Sequence, residues 1–129
     1  MKQVLVLEDQ NYAQVIIERV LRKEFNMDVT LAENGLIGIE KYLEQKPEII
    51  FLDISMPDMN GLEFLGFLRG NLDDKTTPVV VLTANGNKDL VYQLLKMGIT
   101  SYVLKPFTYE TLKEKISEIL SSMNVKGSE

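Results

Sequence analysis

The chain has 129 residues, of which 45% are hydrophobic and 26% charged, so it can bury the core of one ordinary domain. It contains no cysteine and no histidine, which excludes disulfides, thiolate metal sites, histidine acid–base catalysis and imidazole-bound zinc. The net charge of −5 argues against nucleic-acid binding by the domain itself, which would need a basic patch. The chemistry left to the chain uses carboxylates, hydroxyls and amines.

The ends and the hydropathy of the chain bear on its location. No apolar run approaches the roughly 18 residues that a membrane span needs, so we expect no membrane interaction. The N-terminus carries a lysine and then a strand-like run without a small-residue cleavage site, so we expect no secretory signal. Together with the lack of cysteine, this favours a cytoplasmic protein.

The first half of the chain alternates apolar runs with helical stripes. Continuous apolar runs are typical of strands buried on both faces, and they predict strands at 4–7, 27–31 and 49–52. Between them we expect a helix capped by Asn11 and a second helix that begins after the Asn34-Gly35 turn and ends before Pro47. The apolar stripes of these helices consist of Ala13, Ile16, Ile17, Val20 and Leu21, and of Leu36, Ile39, Tyr42 and Leu43.

The second half continues the same alternation. It predicts strands at 78–82 and 101–104. The loop at Pro57 leads to a helix with Asn60 as its cap and Glu63 at the capping-box position. Two more helices are expected to begin at Asn87 and Thr108. The stripes of the three helices consist of Leu62, Leu65 and Leu68, then Leu90, Val91, Leu94 and Leu95 with Gly98 as C-cap, then Leu112, Ile116, Ile119 and Leu120.

Every predicted strand except the second stops at a polar side chain. The residues are Glu8 and Asp9 after the first strand, Asp53 after the third, Thr83 after the fourth and Lys105 after the fifth. The alternation of strands and helices indicates a parallel sheet with helices on both faces, whose ligand site lies at the carboxyl ends of the strands. With strand order 2-1-3-4-5, the first and third strands are neighbours, so Asp9 faces Asp53 across the crevice.

These residue types suit one kind of chemistry. Three carboxylates in a crevice repel one another, and a hard cation such as Mg²⁺ relieves the repulsion. Asp53 could then be a nucleophile toward a phosphoryl donor, with Lys105 supplying positive charge and Thr83 a hydroxyl hydrogen bond. Each residue alone has an ordinary structural interpretation, as a turn, cap or solvated charge. Their joint occurrence at four strand ends favours the functional interpretation.

At these positions the chain resembles the response-regulator receiver family, over roughly residues 2 to 121. The matching segments are Glu8-Asp9, the run from Leu52-Asp53 through Pro57-Asp58-Met59-Asn60-Gly61, Thr83-Ala84, and Lys105-Pro106-Phe107. The resemblance implies an α/β fold with a doubly wound five-stranded parallel sheet in order 2-1-3-4-5, a flavodoxin/CheY-like three-layer sandwich. We expect the receiver domain at 1–122 and a polar C-terminal tail at 123–129.

The resemblance also implies a role for the acidic residues. Asp53 is expected to be the phosphoacceptor. The expected cofactor is Mg²⁺ (or Mn²⁺), held by Asp9 and Asp53, by Glu8 through water, and by the backbone carbonyl of Ser55. Lys105 is expected to pair with a phosphoryl oxygen.

A second group of residues is expected to transmit and time the signal. Thr83 and Tyr102 are expected to form a switch pair, in which Thr83 moves to the phosphoryl group and Tyr102 turns inward behind it. Ser55 and Asn85, two positions after Asp53 and Thr83, are expected to tune dephosphorylation. The peptide bond before Pro106 is expected to be cis.

The resemblance implies partners as well. Because this chain has no histidine, the donor is expected to be a histidine kinase or histidine phosphotransfer protein. The face formed by the fourth helix, the fifth strand and the fifth helix is expected to bind a downstream protein or a second copy of the chain. We expect a switch and not an enzyme, catalysing only its own phosphoryl transfer and slow autodephosphorylation. Whether the domain acts alone or within a longer regulator stays open.

Three alternatives were weighed against this function. A flavodoxin-type cofactor binder would need a glycine- and hydroxyl-rich loop after the first strand, where this chain has Glu8-Asp9. An aspartate-based phosphatase usually carries a second acid two residues after its nucleophile, where this chain has Ser55. A degenerate receiver that acts as a constitutive interaction module usually lacks an acid or the acceptor.

Overall fold

The computed structural model describes residues 2–56 and 59–127. Pro57 and Asp58 of the acidic motif, and the last two residues of the expected tail, lie outside this range. Within it the chain forms five strands and five helices. Their bounds are β1 (Gln3–Leu7), α1 (Asn11–Phe25), β2 (Asp28–Ala32), α2 (Gly35–Gln45), β3 (Ile49–Asp53), α3 (Gly61–Arg69), β4 (Val79–Thr83), α4 (Lys88–Lys96), β5 (Ser101–Leu104) and α5 (Tyr109–Gly127).

The five strands form one parallel sheet in the order β2-β1-β3-β4-β5, which confirms the predicted order. Side chains on each strand alternate between its two faces. On β1, Val4 and Val6 pack with α1 and α5, whereas Leu5 and Leu7 pack with the layer of α2, α3 and α4. Both faces of the sheet are therefore covered, which explains why its strands read as unbroken apolar runs.

Polar side chains fix most helix starts where the sequence predicts them. Asn34 Oδ1 accepts a hydrogen bond from Ile37 N at 2.9 Å, and Asn60 forms a complete capping box with Glu63. Asn87 caps α4, and Thr108 Oγ1 accepts from Thr111 N at 3.1 Å before α5. These caps satisfy backbone N–H groups that have no partner inside the helix.

The start of α1 differs from the prediction. Asn11 is the first helical residue, and Gln10 occupies the N-cap position without a side-chain cap hydrogen bond. The side chain of Gln14, one turn into the helix, donates to the backbone carbonyl of Glu8 at 2.5 Å. The start of this helix is thus fixed by its contacts with the end of β1.

The predicted stripes of α2 and α4 are partly wrong. Leu36, Leu43 and Leu95 were expected to be buried, but each is more than half exposed, at 59%, 58% and 52%. In α2 the face against the sheet centres on Gly35 and Gly38, whose missing side chains let the helix approach Met59 and Leu7 closely. That close contact turns the two leucines of α2 outward.

The helix α5 continues to Gly127, so it includes the first part of the segment expected to be a tail at 123–129. The division of the chain at residue 122 remains a prediction. Of the helices in the described residues, none combines the length and the apolar character that a membrane crossing requires.

A polar network ties the loops at the opposite end of the sheet from the strand-end acids. The Asp74 carboxylate accepts hydrogen bonds from the hydroxyls of Tyr42 and Thr77, each 2.5 Å long. The Arg69 guanidinium donates to the backbone carbonyls of Asp74, Thr77 and Gly98, each at 2.9 Å. Burial raises the pKa of Asp74, but the hydrogen bonds from Thr77 and Tyr42 outweigh it and hold that pKa well below its ordinary value. One largely buried carboxylate therefore joins α2, α3 and the loop before β4, while Arg69 extends the network to the turn after α4.

Candidate functional site

The strand-end residues lie at one level along the sheet. Leu7 of β1 pairs with Leu52 of β3, and Thr83 of β4 pairs with Leu104 of β5. Glu8 and Asp9 come directly after Leu7, Asp53 directly after Leu52, and Lys105 directly after Leu104. These residues therefore lie along the same edge of the sheet. Backbone hydrogen bonds continue the ladder one step further, from Glu8 N to Ala32 O at 2.9 Å and from Lys105 N to Thr83 O at 2.8 Å. The sheet itself therefore brings together residues that are far apart in sequence.

The acidic cluster predicted from the sequence is present. Glu8, Asp9 and Asp53 each place one carboxylate oxygen within 4.8 Å of the other two. Glu8 is fully buried, and Asp53 is 4% exposed. Three negative groups at this distance, two of them away from water, need positive charge nearby.

Lys105 supplies one positive charge to the acidic cluster. Its Nζ lies 2.8 Å from Glu8 Oε1 and 3.3 Å from Asp53 Oδ2, and its side chain is only 8% exposed. The Lys105-Pro106 peptide bond is cis, which confirms the prediction. The ammonium group thus lies among the carboxylates and not in solvent.

The environment shifts the protonation equilibria of the cluster. Burial raises the pKa of Glu8 to about 7, although hydrogen bonds from Lys105 and from the backbone N–H of Gln10 act in the opposite direction. Burial and the neighbouring Asp53 carboxylate also raise the pKa of Asp9. Burial lowers the pKa of Lys105, but Glu8 and Asp53 outweigh it and raise the pKa above its ordinary value. One ammonium group does not relieve the repulsion among three carboxylates.

The donor set fits a hard divalent cation. Among the described residues, Asp9 Oδ1 is buried and has no hydrogen-bond partner, so the site holds an oxygen that a ligand would satisfy. Carboxylate oxygens are the preferred protein ligands of Mg²⁺, and Mn²⁺ accepts the same donors. The three acids of the cluster are compatible with Mg²⁺ on these grounds. The side chain of Ser55 is exposed and its N–H donates to Asp53 Oδ1 at 3.0 Å, while metal binding by its carbonyl stays a prediction.

Thr83 lies at the site with its hydroxyl engaged locally. Its Oγ1 accepts from Asn85 N at 2.9 Å and donates to Asn85 O at 3.1 Å, and the residue is 5% exposed. Asn85 itself is exposed, and its Oδ1 accepts from Asn87 N at 2.9 Å. The hydroxyl is therefore held in the turn that leads to α4.

Tyr102 lies on β5, and its side chain packs against the apolar cluster on the α2, α3 and α4 side of the sheet. It is half-buried and lines an open groove of about 440 Å³. The other lining residues are Val103, Leu104, Pro106, Phe107, Thr111 and Lys115. The groove lies on the face predicted for output, directly beyond the Lys105-Pro106 bond.

Sequence reasoning missed one side chain at the site. Gln10 Oε1 accepts a hydrogen bond from Lys105 Nζ at 3.0 Å, and the backbone N–H of Gln10 donates to Glu8 Oε2 at 3.1 Å. Its place directly after the acid pair was the available signal. Glutamine is common at helix starts, and only the folded sheet brings it to Lys105, so the sequence did not single it out.

Comparisons of the sequence with known proteins all indicate the same protein family. A protein-family model described as the response regulator receiver domain matches residues 4–117. A chemotaxis protein CheY homolog of Campylobacter jejuni is 31% identical over 125 residues, which cover 96% of each chain. Chemotaxis protein CheY1 of Helicobacter pylori is 33% identical over 120 residues, covering 92% of this chain and 97% of the relative.

Solved structures agree with the sequence relatives. The chemotaxis response regulator CheY4 of Vibrio cholerae superimposes with a TM-score of 0.83 at 26% identity, covering 92% of this chain and 98% of the other. The response regulator domain of Thermotoga maritima CheB gives a TM-score of 0.82 at 26% identity, covering 96% and 97%. The fold and the order of the strands are thus those of a defined group of proteins.

Proposed function

Because this chain belongs to the response regulator receiver domain family, which serves two-component signalling, we propose that it accepts a phosphoryl group on Asp53 in a Mg²⁺-dependent reaction. Members of this family are signalling switches and not conventional enzymes. The chemistry at Asp53, the partners and the output are the parts that we infer.

One observation carries the proposal: a buried aspartate at a strand end shares its crevice with two more acids and a buried ammonium group. The three carboxylates lie within 4.8 Å of one another, and Lys105 Nζ contacts two of them. A structural ion pair needs one carboxylate and one ammonium group. Two additional buried or partly buried acids raise the energy of the folded protein unless they serve a ligand.

The residues suit transfer from a phosphohistidine of the partner. A carboxylate oxygen of Asp53 would attack phosphorus, forming a P–O bond as the P–N bond to the partner's imidazole breaks. The Ser55 N–H, which donates to Asp53 Oδ1, fixes the carboxylate orientation. Lys105 Nζ lies where it can donate to a transferring oxygen. Bound Mg²⁺ would neutralise charge on the phosphoryl oxygens.

Thr83 and Tyr102 are the residues through which the new group would act. We infer that the Thr83 hydroxyl leaves its contacts with Asn85 and bonds to a phosphoryl oxygen, and that Tyr102 turns inward from the groove. Within the described part of α4, Leu94 alone is fully buried, so this helix is weakly held against the core. The α4–β5–α5 face then changes its affinity for a downstream protein or a second copy of the chain.

The donor would be a histidine kinase or histidine phosphotransfer protein in the cytoplasm, since this chain lacks a histidine of its own. Ser55 and Asn85 flank the site and would influence how fast water removes the phosphoryl group. Autodephosphorylation and its own phosphorylation would be the only reactions that the domain catalyses.

Intact-mass spectrometry after treatment with phosphoramidate tests the proposal. Wild type should gain one phosphoryl adduct with Mg²⁺ and none with chelator. Asp53→Asn should gain none, whereas Asp73→Asn, which changes an exposed aspartate in the same way, should still be modified. Absence of an adduct in wild type would instead support a phosphorylation-independent interaction module. An adduct on Asp53→Asn would assign the acceptor to another residue.

A further inference from the structure

The side chain of Gln10 has no role in the helix that it precedes. Gln10 occupies the N-cap of α1, yet its side chain makes no cap hydrogen bond. Its carboxamide oxygen instead accepts from Lys105 Nζ at 3.0 Å, across the mouth of the site. Short polar residues such as Asn and Ser at this position bond the first turn of their own helix, whereas the longer side chain of Gln10 reaches Lys105.

The contacts of Lys105 show what the carboxamide adds. An ammonium group has three N–H donors. Nζ lies near three acceptors: Glu8 Oε1 at 2.8 Å, Gln10 Oε1 at 3.0 Å and Asp53 Oδ2 at 3.3 Å. Gln10 is the neutral member of this set. It can therefore hold the ammonium group in place without adding a fourth negative charge to the cluster.

The backbone of Gln10 is itself held firmly. Its N–H donates to Glu8 Oε2 at 3.1 Å, and its carbonyl accepts from Gln14 N at 3.0 Å. The side chain of Gln14 bonds to the carbonyl of Glu8. One residue thus orients Glu8 through its backbone and Lys105 through its side chain, from a fixed position at the start of α1.

We propose that Gln10 is a positioning residue for phosphoryl transfer, holding Lys105 Nζ beside Asp53 where the transferring oxygens arrive. This inference rests on the proposed function. Preorganised positive charge accelerates a reaction because it needs no rearrangement when the transition state forms. Without the carboxamide, Lys105 keeps its two acidic neighbours, but its third N–H is no longer fixed and the ammonium group samples other positions.

The test compares rates of phosphoramidate-dependent modification of Asp53 at a series of donor and Mg²⁺ concentrations. Gln10→Met keeps the length of the side chain and removes the acceptor. It should lower the maximal rate constant about tenfold, the size expected for losing one hydrogen bond to a charged group. The concentration of Mg²⁺ that gives half of the maximal rate constant should not change for Gln10→Met, because Gln10 is not among the acids of the cluster. Gln10→Glu, which keeps an acceptor oxygen but adds a fourth negative charge near the cluster, should keep the maximal rate constant within about threefold of wild type while shifting the Mg²⁺ concentration for the half-maximal rate.

Two controls separate positioning from a general structural effect. Gln45 Oε1 accepts a hydrogen bond from Thr30 Oγ1 at 2.5 Å, at the end of α2, so Gln45→Met removes a similar bond outside the site and should leave the rate unchanged. In a Lys105→Met background, Gln10→Met should cause no further slowing, because Gln10 acts through Lys105.

Each result has one meaning. A wild-type rate for Gln10→Met would overturn the positioning role while leaving the proposed function intact. Equal slowing by Gln10→Met and Gln45→Met, or further slowing in the Lys105→Met background, would also overturn it. No adduct on wild type would reject the proposed function and this inference together, so the two failures are distinguishable.

Discussion

At the level of single side chains, the site sets three carboxylates against one ammonium group. Because Asp53 adds a charge to a cluster that Lys105 cannot neutralise, Asp53→Asn should stabilise the metal-free protein. The asparagine oxygen can still accept from Ser55 N–H. We expect a gain of about 1 kcal/mol, a typical size for a single substitution, and a thermal midpoint higher by about 4 °C for a domain of this length.

Calorimetry in the presence of a chelator measures this gain. Glu48→Gln, which removes an exposed acid directly before β3, should change the midpoint by less than about 1 °C. If Asp53→Asn lowered the midpoint, the contact with Lys105 would outweigh the repulsion in the cluster.

The individual site residues were predictable to different degrees. Glu8, Asp9, Asp53 and Lys105 each follow an apolar run predicted as a strand. Because the carboxyl ends of parallel strands lie at one edge of the sheet, the sequence was sufficient to predict that these side chains lie close together. Gln10 was not predictable, since its contact depends on where a side chain 95 positions away in sequence points. Roles that depend on a change of state, such as those of Thr83 and Tyr102, remain predictions.

At the level of elements, the packing of α2 depends on the absence of a side chain. A Cβ at Gly38 would overlap the side chain of Leu7 on β1 and press on Phe64 of α3. Gly38→Ala should therefore destabilise the protein by about 1–3 kcal/mol, as overpacking does in other cores. Urea unfolding followed by circular dichroism gives this free energy.

Gly66 provides the matched control, because a Cβ there meets nothing within 4 Å among the described residues. It lies within α3 and is exposed. Gly66→Ala should stabilise the protein by about 0.5–1 kcal/mol, since alanine favours the helix. Similar effects of the two substitutions would show that α2 tolerates a side chain at its contact with the sheet.

The polar network that joins α2, α3 and the loop before β4 should make stability depend on pH. The pKa of Asp74 is lowered in the folded protein, so its stabilising effect is complete above the unfolded pKa of about 3.9 and is lost as the pH falls through the lower folded value. At pH 6, Asp74→Asn should cost about 2 kcal/mol, within the range for hydrogen bonds to a charged group.

The difference between wild type and Asp74→Asn should shrink between pH 4 and pH 2, as measured by urea unfolding at each pH. Glu114→Gln, an exposed substitution on α5, should show a small difference at every pH. A constant difference between wild type and Asp74→Asn would mean that the carboxylate charge does not contribute.

Element packing explains where the sequence predictions were wrong. A stripe of apolar residues marks the buried side of a helix only when side chains make the contact. In α2 the buried positions are Gly35 and Gly38, and the partly buried side chains beside them leave Leu36 and Leu43 facing solvent. The network of Tyr42, Arg69 and Asp74 was also beyond prediction, because none of these residues forms a local motif with the others.

At the level of the whole molecule, we expect the acidic cluster to link Mg²⁺ binding to folding. An unfolded chain does not bring Glu8, Asp9 and Asp53 together, so Mg²⁺ should bind the folded state alone and stabilise it. At a concentration of about 100 times the dissociation constant, the gain should be about 2.7 kcal/mol. Calorimetry at increasing Mg²⁺ should show a midpoint that rises with the logarithm of concentration, and Na⁺ at equal ionic strength should not reproduce it.

Asp9→Asn removes one acid of the cluster and leaves the contacts of Lys105 in place. It should strongly weaken the dependence of the thermal midpoint on Mg²⁺ concentration. A midpoint that does not respond to Mg²⁺ in wild type would contradict a divalent-cation site at these residues.

The architecture was the most predictable feature. Five apolar runs, four of them with polar ends, and the helical stripes between them determine the class of fold, and the strand order was confirmed. Helix boundaries were less certain, as the start of α1 and the continuation of α5 to Gly127 show, because they depend on contacts between elements.

The strand β4 separates the two polar centres of the protein. Thr77 of the Asp74 network precedes it, and Thr83 of the acidic site ends it. Five residues span roughly 16 Å in a strand, and the four apolar residues between, Val79 to Leu82, are fully buried. Substitutions that far apart usually have additive effects. The Asp74 end of the sheet can therefore be strengthened or weakened, by engineering or in evolution, with little effect on the acidic end.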